Sequence, residues 1–123
     1  MTIDECIAEV DRVHPNRVPL DIKIGWLSRI DQYVFEEIIR GREGTDGMTF
    51  EAYTMDDGQK TLLVPPPYDE LYVHRLDSNI SFEEHEDERQ ANAMALYNQT
   101  MQDYAKKYIR EHRAKPRPRP RYY

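Results

Sequence analysis

Apolar residues recur at three- and four-residue intervals through four stretches of the chain and alternate through a fifth. Ile3, Cys6, Ile7, Val10 and Val13 predict a helix over residues 2–14. Thr2 and Glu5 form a capping-box pattern at its start, and Pro15 with Asn16 ends it. A second helix is predicted over residues 19–40. Pro19 opens it, and Asp21 suits the positive end of the helix dipole. Leu20, Ile24, Leu27, Ile30, Val34 and Ile38 make one stripe, which Trp26, Tyr33 and Phe35 widen into a face broad enough for more than one neighbour. Gly41 and Gly44 supply the stop.

Residues 45–64 change period. The segment TFEAYT alternates, Asp56-Asp57-Gly58 is a turn signal, and KTLLV resumes an extended pattern. A β-hairpin is expected here. An isolated two-stranded hairpin is marginal in water, so it should lean on the helices or join strands of another subunit. Pro66 and Pro67 cannot donate to a ladder and end the second strand. Pro67 suits the first position of a third helix, predicted over 67–83, with Asp69 and Glu70 in its first turn. Tyr68, Leu71, Tyr72, Leu76 and Ile80 share one of its faces. The run EEHEDE at 83–88 reads as a solvated turn. A fourth helix is predicted over 87–112, where Ala91, Met94, Tyr97, Met101, Tyr104 and Tyr108 step close to a heptad.

The fold class is therefore mainly α. A four-helix domain over 1–112 carries a β-hairpin between helices two and three, and an extended basic arm occupies 113–123. Helices two and four should form the core. Residues assigned to the core or to a subunit interface are Trp26, Leu27, Ile30 and Val34; Tyr68, Leu71, Tyr72 and Leu76; and Met94, Tyr97, Met101, Tyr104 and Tyr108. The Tyr/Met stripe of helix four could line a ligand pocket instead, but helical spacing alone accounts for it as packing.

With 123 residues, 39% hydrophobic and 33% charged, the chain has the length of one ordinary domain with a modest core. No apolar run approaches the roughly 20 residues that span a bilayer, so no membrane partner is expected. The N-terminal MTIDECIAEV carries acids where a signal peptide carries lysines, so export is not expected. The formal charge of −6 is unevenly spread. Residues 113–123 hold five basic side chains and no acid, leaving 12 basic against 23 acidic before them, a net of −11. An acidic body repels nucleic-acid phosphates, and the arm attracts them or an acidic protein surface.

Catalytic motifs are absent: there is no P-loop, GxGxxG, GxSxG or HExxH. Cys6, the single cysteine, sits on the apolar face of helix one and reads as a small buried hydrophobe. Asp56, Asp57 and Gly58 lack the ligand pattern of a calcium loop. Histidines 14, 74, 85 and 112 are scattered. Glu70 with His74, and His85 with Glu88, offer weak carboxylate–histidine pairs for a metal enzyme, but solvated charge explains them better. No catalytic residue, metal ligand or cofactor is expected. The arm is Arg113, Lys115, Arg117, Arg119, Arg121, Tyr122 and Tyr123, interleaved with prolines. It favours polyproline II and reaches roughly 30 Å. It reads as a partner-binding arm on a neighbouring protein, as a solubilising end, or as a DNA-backbone contact with stacking tyrosines.

Three segments carry a resemblance: KIGWLSRIDQYVFEEII at 23–39, LLVPPPYDELYVHRL at 62–76 and NAMALYNQTMQDYAKKY at 92–108. Together the chain resembles small structural proteins of long-tailed phages, and among them the helical head-to-tail connector, or adaptor, family. The resemblance implies a non-enzymatic virion protein of the neck, made in the host cytoplasm. Its partners would be itself, in a ring of about twelve subunits, the portal protein, other neck or tail proteins, and genomic DNA passing through the lumen. An acidic body suits such a lumen, because like charge lets a duplex slide. The segments fit adaptor, stopper and other neck positions alike, and RPRPRYY departs from the family pattern. The rival reading is a DNA-binding regulatory or packaging accessory protein that uses the basic arm. It is distinguished by salt-sensitive DNA binding that vanishes with residues 113–123.

Overall fold

In the computed structural model, residues 1–114 are described, and they hold four α-helices. These are α1 (Ile3–Val13), α2 (Leu20–Val34), α3 (Glu70–Glu83) and α4 (Asp87–Glu111), with a π-helical turn, Phe35–Ile39, continuing α2. The Thr2 hydroxyl caps α1 by accepting the Glu5 N–H at 3.1 Å, as the capping pattern predicts. Pro19 stands one residue before α2 as its N-cap. The π turn closes with the Arg40 N–H on the Phe35 carbonyl at 2.8 Å. Gly41 and Gly44 follow at φ of 91° and 82°, a left-handed backbone that side chains resist and that turns the chain away from the helix axis.

The expected hairpin does not form. Among the described residues there is no sheet, and pairing is confined to the isolated bridges Thr2–Thr61 and Arg42–Ala114. Asp57 does turn the chain: the Asp57 N–H meets the Thr54 carbonyl at 3.0 Å, and the Lys60 N–H meets the Asp57 carbonyl at 2.8 Å. The flanking segments then find other partners. The Ile3 N–H donates to the Lys60 carbonyl at 3.0 Å, and the Leu62 N–H to the Met1 carbonyl at 2.9 Å. The Tyr53 N–H donates to Ser28 Oγ at 3.0 Å. Alternating burial of Leu62 and Val64 against helices produces the period that resembles a strand. The backbone donors go to side chains and to the N-terminus, not across a ladder.

Helix α3 begins at Glu70, three residues later than expected. The Pro66–Pro67 peptide is cis; Pro67 lies in a run of turns before the helix and is not its first residue. The core draws on all four helices and the long connection. Ile3, Cys6, Val10, Leu27, Val34, Leu62, Val64, Leu71, Leu76, Ile80 and Tyr104 are buried in one cluster. Helices two and four alone do not make it: α3 packs most extensively against α4 and also meets α1 and α2. Leu20 and Ala91, expected on apolar stripes, are exposed, while Ala93 is buried. At the α1–α2 turn the buried Lys23 ammonium reaches Asp11 at 2.8 Å and Asn16 at 3.3 Å. Those bonds fix how the second helix leaves the first.

Candidate functional site

Helices α2 and α4 both flank the α3 side of the molecule, but their backbones come together only where α4 meets the π turn. The space left between them is an open groove of about 660 Å³. Trp26, Ile30 and Tyr33 line it from α2, Arg75 and Phe82 from α3, and Met94, Tyr97 and Met101 from α4. Arg29, Asn79, Glu83, Asn98 and Gln102 make its polar margin. The helical periods explain the arrangement: i, i+3, i+4 and i+7 spacing puts Trp26, Ile30 and Tyr33, and likewise Met94, Tyr97 and Met101, on one side of each helix. Phe82 is 65% exposed and Tyr33 is 52% exposed. The Arg75 guanidinium lies over the Tyr97 ring at 5.1 Å, which keeps a cation among the side chains lining the groove. An aromatic, Met and Arg floor with a polar rim is the composition of a protein-binding patch.

Of the residues assigned from sequence to the core or an interface, Leu27, Ile30, Val34, Leu71, Tyr72, Leu76, Tyr97, Met101 and Tyr104 are buried. Trp26, Tyr68, Met94 and Tyr108 are partly buried against them. Beyond the groove, Tyr68, Tyr104, Tyr108 and His112 continue as an aromatic row, with ring centroids at 6.0, 5.9 and 3.8 Å in turn. Of the arm, Arg113 is described, and its carbonyl accepts the Glu43 N–H at 2.9 Å. This contact anchors the root of the arm to the turn after α2. Lys115, Arg117, Arg119, Arg121, Tyr122 and Tyr123 lie outside the described residues.

Two polar clusters went unnoticed in the sequence. The first surrounds Asp31, which is fully buried on α2. Its carboxylate accepts the Tyr53 hydroxyl, the Tyr72 hydroxyl at 2.5 Å and the Leu63 N–H at 3.1 Å. Tyr72 Oη in turn accepts the Val64 N–H at 2.8 Å. Burial raises the Asp31 pKa, and these donors only partly offset it. Burial and the adjoining carboxylate push both tyrosines upward. The network ties the long connection to α2 and α3, and every member is spent on another. A polar residue interrupting a buried stripe was the available signal, since Asp31 sits between Leu27 and Val34.

The second cluster surrounds His14, at the end of α1. Its Nδ1 faces Asp77 Oδ1 at 2.6 Å, and its Nε2 faces Glu84 Oε2 at 2.8 Å and Glu86 Oε2 at 3.8 Å. Burial alone would lower the His14 pKa, but the two carboxylate hydrogen bonds outweigh it and the net shift is upward. Among the described residues these are the metal-ligand atoms that converge. His74 and His85, the weak candidates from sequence, do not belong to the group. Cys6 is buried, and burial first, then nearby carboxylates, push its thiol up to about 12. That keeps it protonated and unreactive at neutral pH. No described helix is long and apolar enough to cross a membrane. Comparison with known proteins finds no matching family model, curated protein or solved structure.

Proposed function

We propose that this chain is a non-enzymatic virion protein of the phage neck, a head-to-tail connector that assembles as a ring between portal and tail. One observation carries the reading. The three segments that resemble connector proteins are separate in sequence, yet each reaches one open groove: 23–39 through α2 with Trp26, Ile30 and Tyr33, 62–76 through the first half of α3 with Arg75, and 92–108 through α4 with Met94, Tyr97 and Met101. The groove is the surface that neighbours cover. Its aromatic floor and polar rim match the anatomy of an interface core.

The occupant is a second copy of the chain. A body of net −11 joined to an arm of five basic side chains favours head-to-tail association, with the arm of one copy on the acidic body of the next. Head-to-tail contacts of that kind make a ring when the rotation between neighbours closes. Ring assembly places an acidic surface around the duplex. Asp31, Tyr53 and Tyr72 serve one another and the backbone.

The test is the double substitution Tyr33→Glu and Phe82→Glu, at two half-exposed or more exposed side chains of the groove. The expected result is an unchanged far-ultraviolet circular dichroism spectrum, with folding stability within about 1 kcal/mol of the parent because surface changes cost little. Self-association and portal binding, read by sedimentation velocity with and without the portal protein, should weaken by about tenfold or more, since central aromatic anchors dominate interfaces. Assembly at the parental strength would overturn the role given to the groove.

A further inference from the structure

We propose that His14, Glu84 and Glu86 form a binding site for a divalent transition-metal ion of the zinc type, which staples the end of α1 to the turn between α3 and α4. Four observations meet there. The first is the donor set. His14 is 4% exposed, and its Nε2 points at two carboxylates on the following turn, 2.8 and 3.8 Å away. Two donors each about 2.0–2.1 Å from a tetrahedral zinc stand about 3.3 Å apart. The two separations bracket that value, and all three donor atoms lie within 4.8 Å of one another. One imidazole and two carboxylates are ligands that zinc accepts, with water completing the sphere.

The second observation is the support behind the imidazole. Asp77 Oδ1 accepts from His14 Nδ1 at 2.6 Å. A carboxylate only accepts, so Nδ1 carries a hydrogen, and Nε2, 2.8 Å from Glu84 Oε2, is the nitrogen on which a metal ion takes the place of a proton. Arg89 holds Asp77 in place through Nε at 3.0 Å and reaches the Val13 carbonyl at 3.2 Å. A carboxylate that orients a ligating histidine, and is itself oriented, is the usual construction around a protein-bound metal.

The third is the backbone that presents the glutamates. His85 stands at φ 60°, and the Glu86 N–H closes on the Ser81 carbonyl at 2.9 Å. This tight helix ending reverses the chain within one residue, so the Glu84 and Glu86 side chains flank the same imidazole. The fourth is charge. Three carboxylates, Asp77, Glu84 and Glu86, face the His14 ring, and Arg89 is bonded to Asp77. Asp87 and Glu88 lie beside Asp77 and Glu86 in the shallow depression at the surface and favour approach by a cation.

The experiment titrates zinc chloride into the full chain after chelator treatment, by calorimetry, with cobalt substitution to read the coordination by visible absorption. The parent should bind one zinc per chain, show the visible bands of low-coordinate cobalt, and melt at a higher temperature in zinc. Glu84→Gln with Glu86→Gln should weaken binding by about tenfold or more and abolish the shift in melting temperature. Glu86→Gln alone alters a 46% exposed side chain and carries the same test without disturbing packing. His74→Ala should leave affinity and cobalt bands unchanged, since His74 is not among the converging donors. Zinc uptake that survives loss of both glutamates, uptake that depends on His74, or no uptake by the parent would each overturn the site. None of these results bears on the assembly of rings, so this inference and the connector reading fail separately.

Discussion

Replacing Asp31 with alanine is expected to remove about 3–5 kcal/mol of folding stability, because three donors lose their acceptor and each buried orphan costs about 1–3 kcal/mol. The donors are the Tyr72 hydroxyl, the Tyr53 hydroxyl and the Leu63 N–H. Tyr53 is only partly buried and recovers some of its loss from water. Relief from desolvating a carboxylate offsets a further part. Against a typical domain stability of about 5–15 kcal/mol, the loss is a large fraction of the whole. Urea denaturation of the two chains measures it, and a loss below about 1 kcal/mol would mean the network is not formed.

The pH dependence of the same residue has a definite sign. Burial raises the folded pKa of Asp31 above its ordinary value of 3.8. Between those two values the folded chain holds the proton that the unfolded chain has released. Stability from this group is therefore full below about pH 4 and is lost as pH rises through the folded pKa. Asp31→Asn lacks the titration. The parent's advantage over Asp31→Asn should grow as the pH is lowered from 7 towards 4, and an advantage that shrinks over that range would contradict the upward shift.

Tyr72→Phe is the second large effect, at about 2–4 kcal/mol. The hydroxyl does two jobs in a fully buried position: it accepts the Val64 N–H at 2.8 Å and donates to Asp31 at 2.5 Å. Phenylalanine fills the same space and does neither. The Val64 N–H is left with no acceptor, and one oxygen of a buried carboxylate is left with no donor. Because the two residues share a network, the double variant Asp31→Ala with Tyr72→Phe should cost less than the two single losses added together. Strict additivity, measured by the same denaturation, would show that the two hydroxyl contacts act independently.

The helices were legible because their signals are local. Thr2 with Glu5, Pro19, and Gly41 with Gly44 mark ends, and stripes at helical spacing mark the faces that α1 to α4 bury. The hairpin was misread for a physical reason. Leu62 and Val64 alternate with their neighbours because a passing segment buries every second side chain against helices, and period two does not distinguish this from a ladder. Helix α3 starts at Glu70, after turns at residues 66–69, and the run PPP does not fix which residue opens it. The polar clusters could not be assembled from sequence at all. Asp31 meets residues 53, 63 and 72, and His14 meets residues 77, 84 and 86, through the tertiary fold alone. Only the lone acid within the α2 stripe hinted that something buried must answer it. Within the groove, Trp26, Tyr33, Met94, Tyr97 and Met101 were each visible as stripe residues. That α2 and α4 stand apart over α3, leaving those side chains around a shared opening, is a property of the packing.

The central claim is that the groove face meets copies of this chain in a ring at the vertex joining shell and tail. Imaging the neck of intact particles by electron cryomicroscopy tests it most directly. The account predicts a ring of density between portal and tail into which the four helices fit, with Trp26, Tyr33 and Phe82 covered by the adjacent copy. Absence of the chain from that vertex, or a ring in which the groove faces solvent, would contradict it.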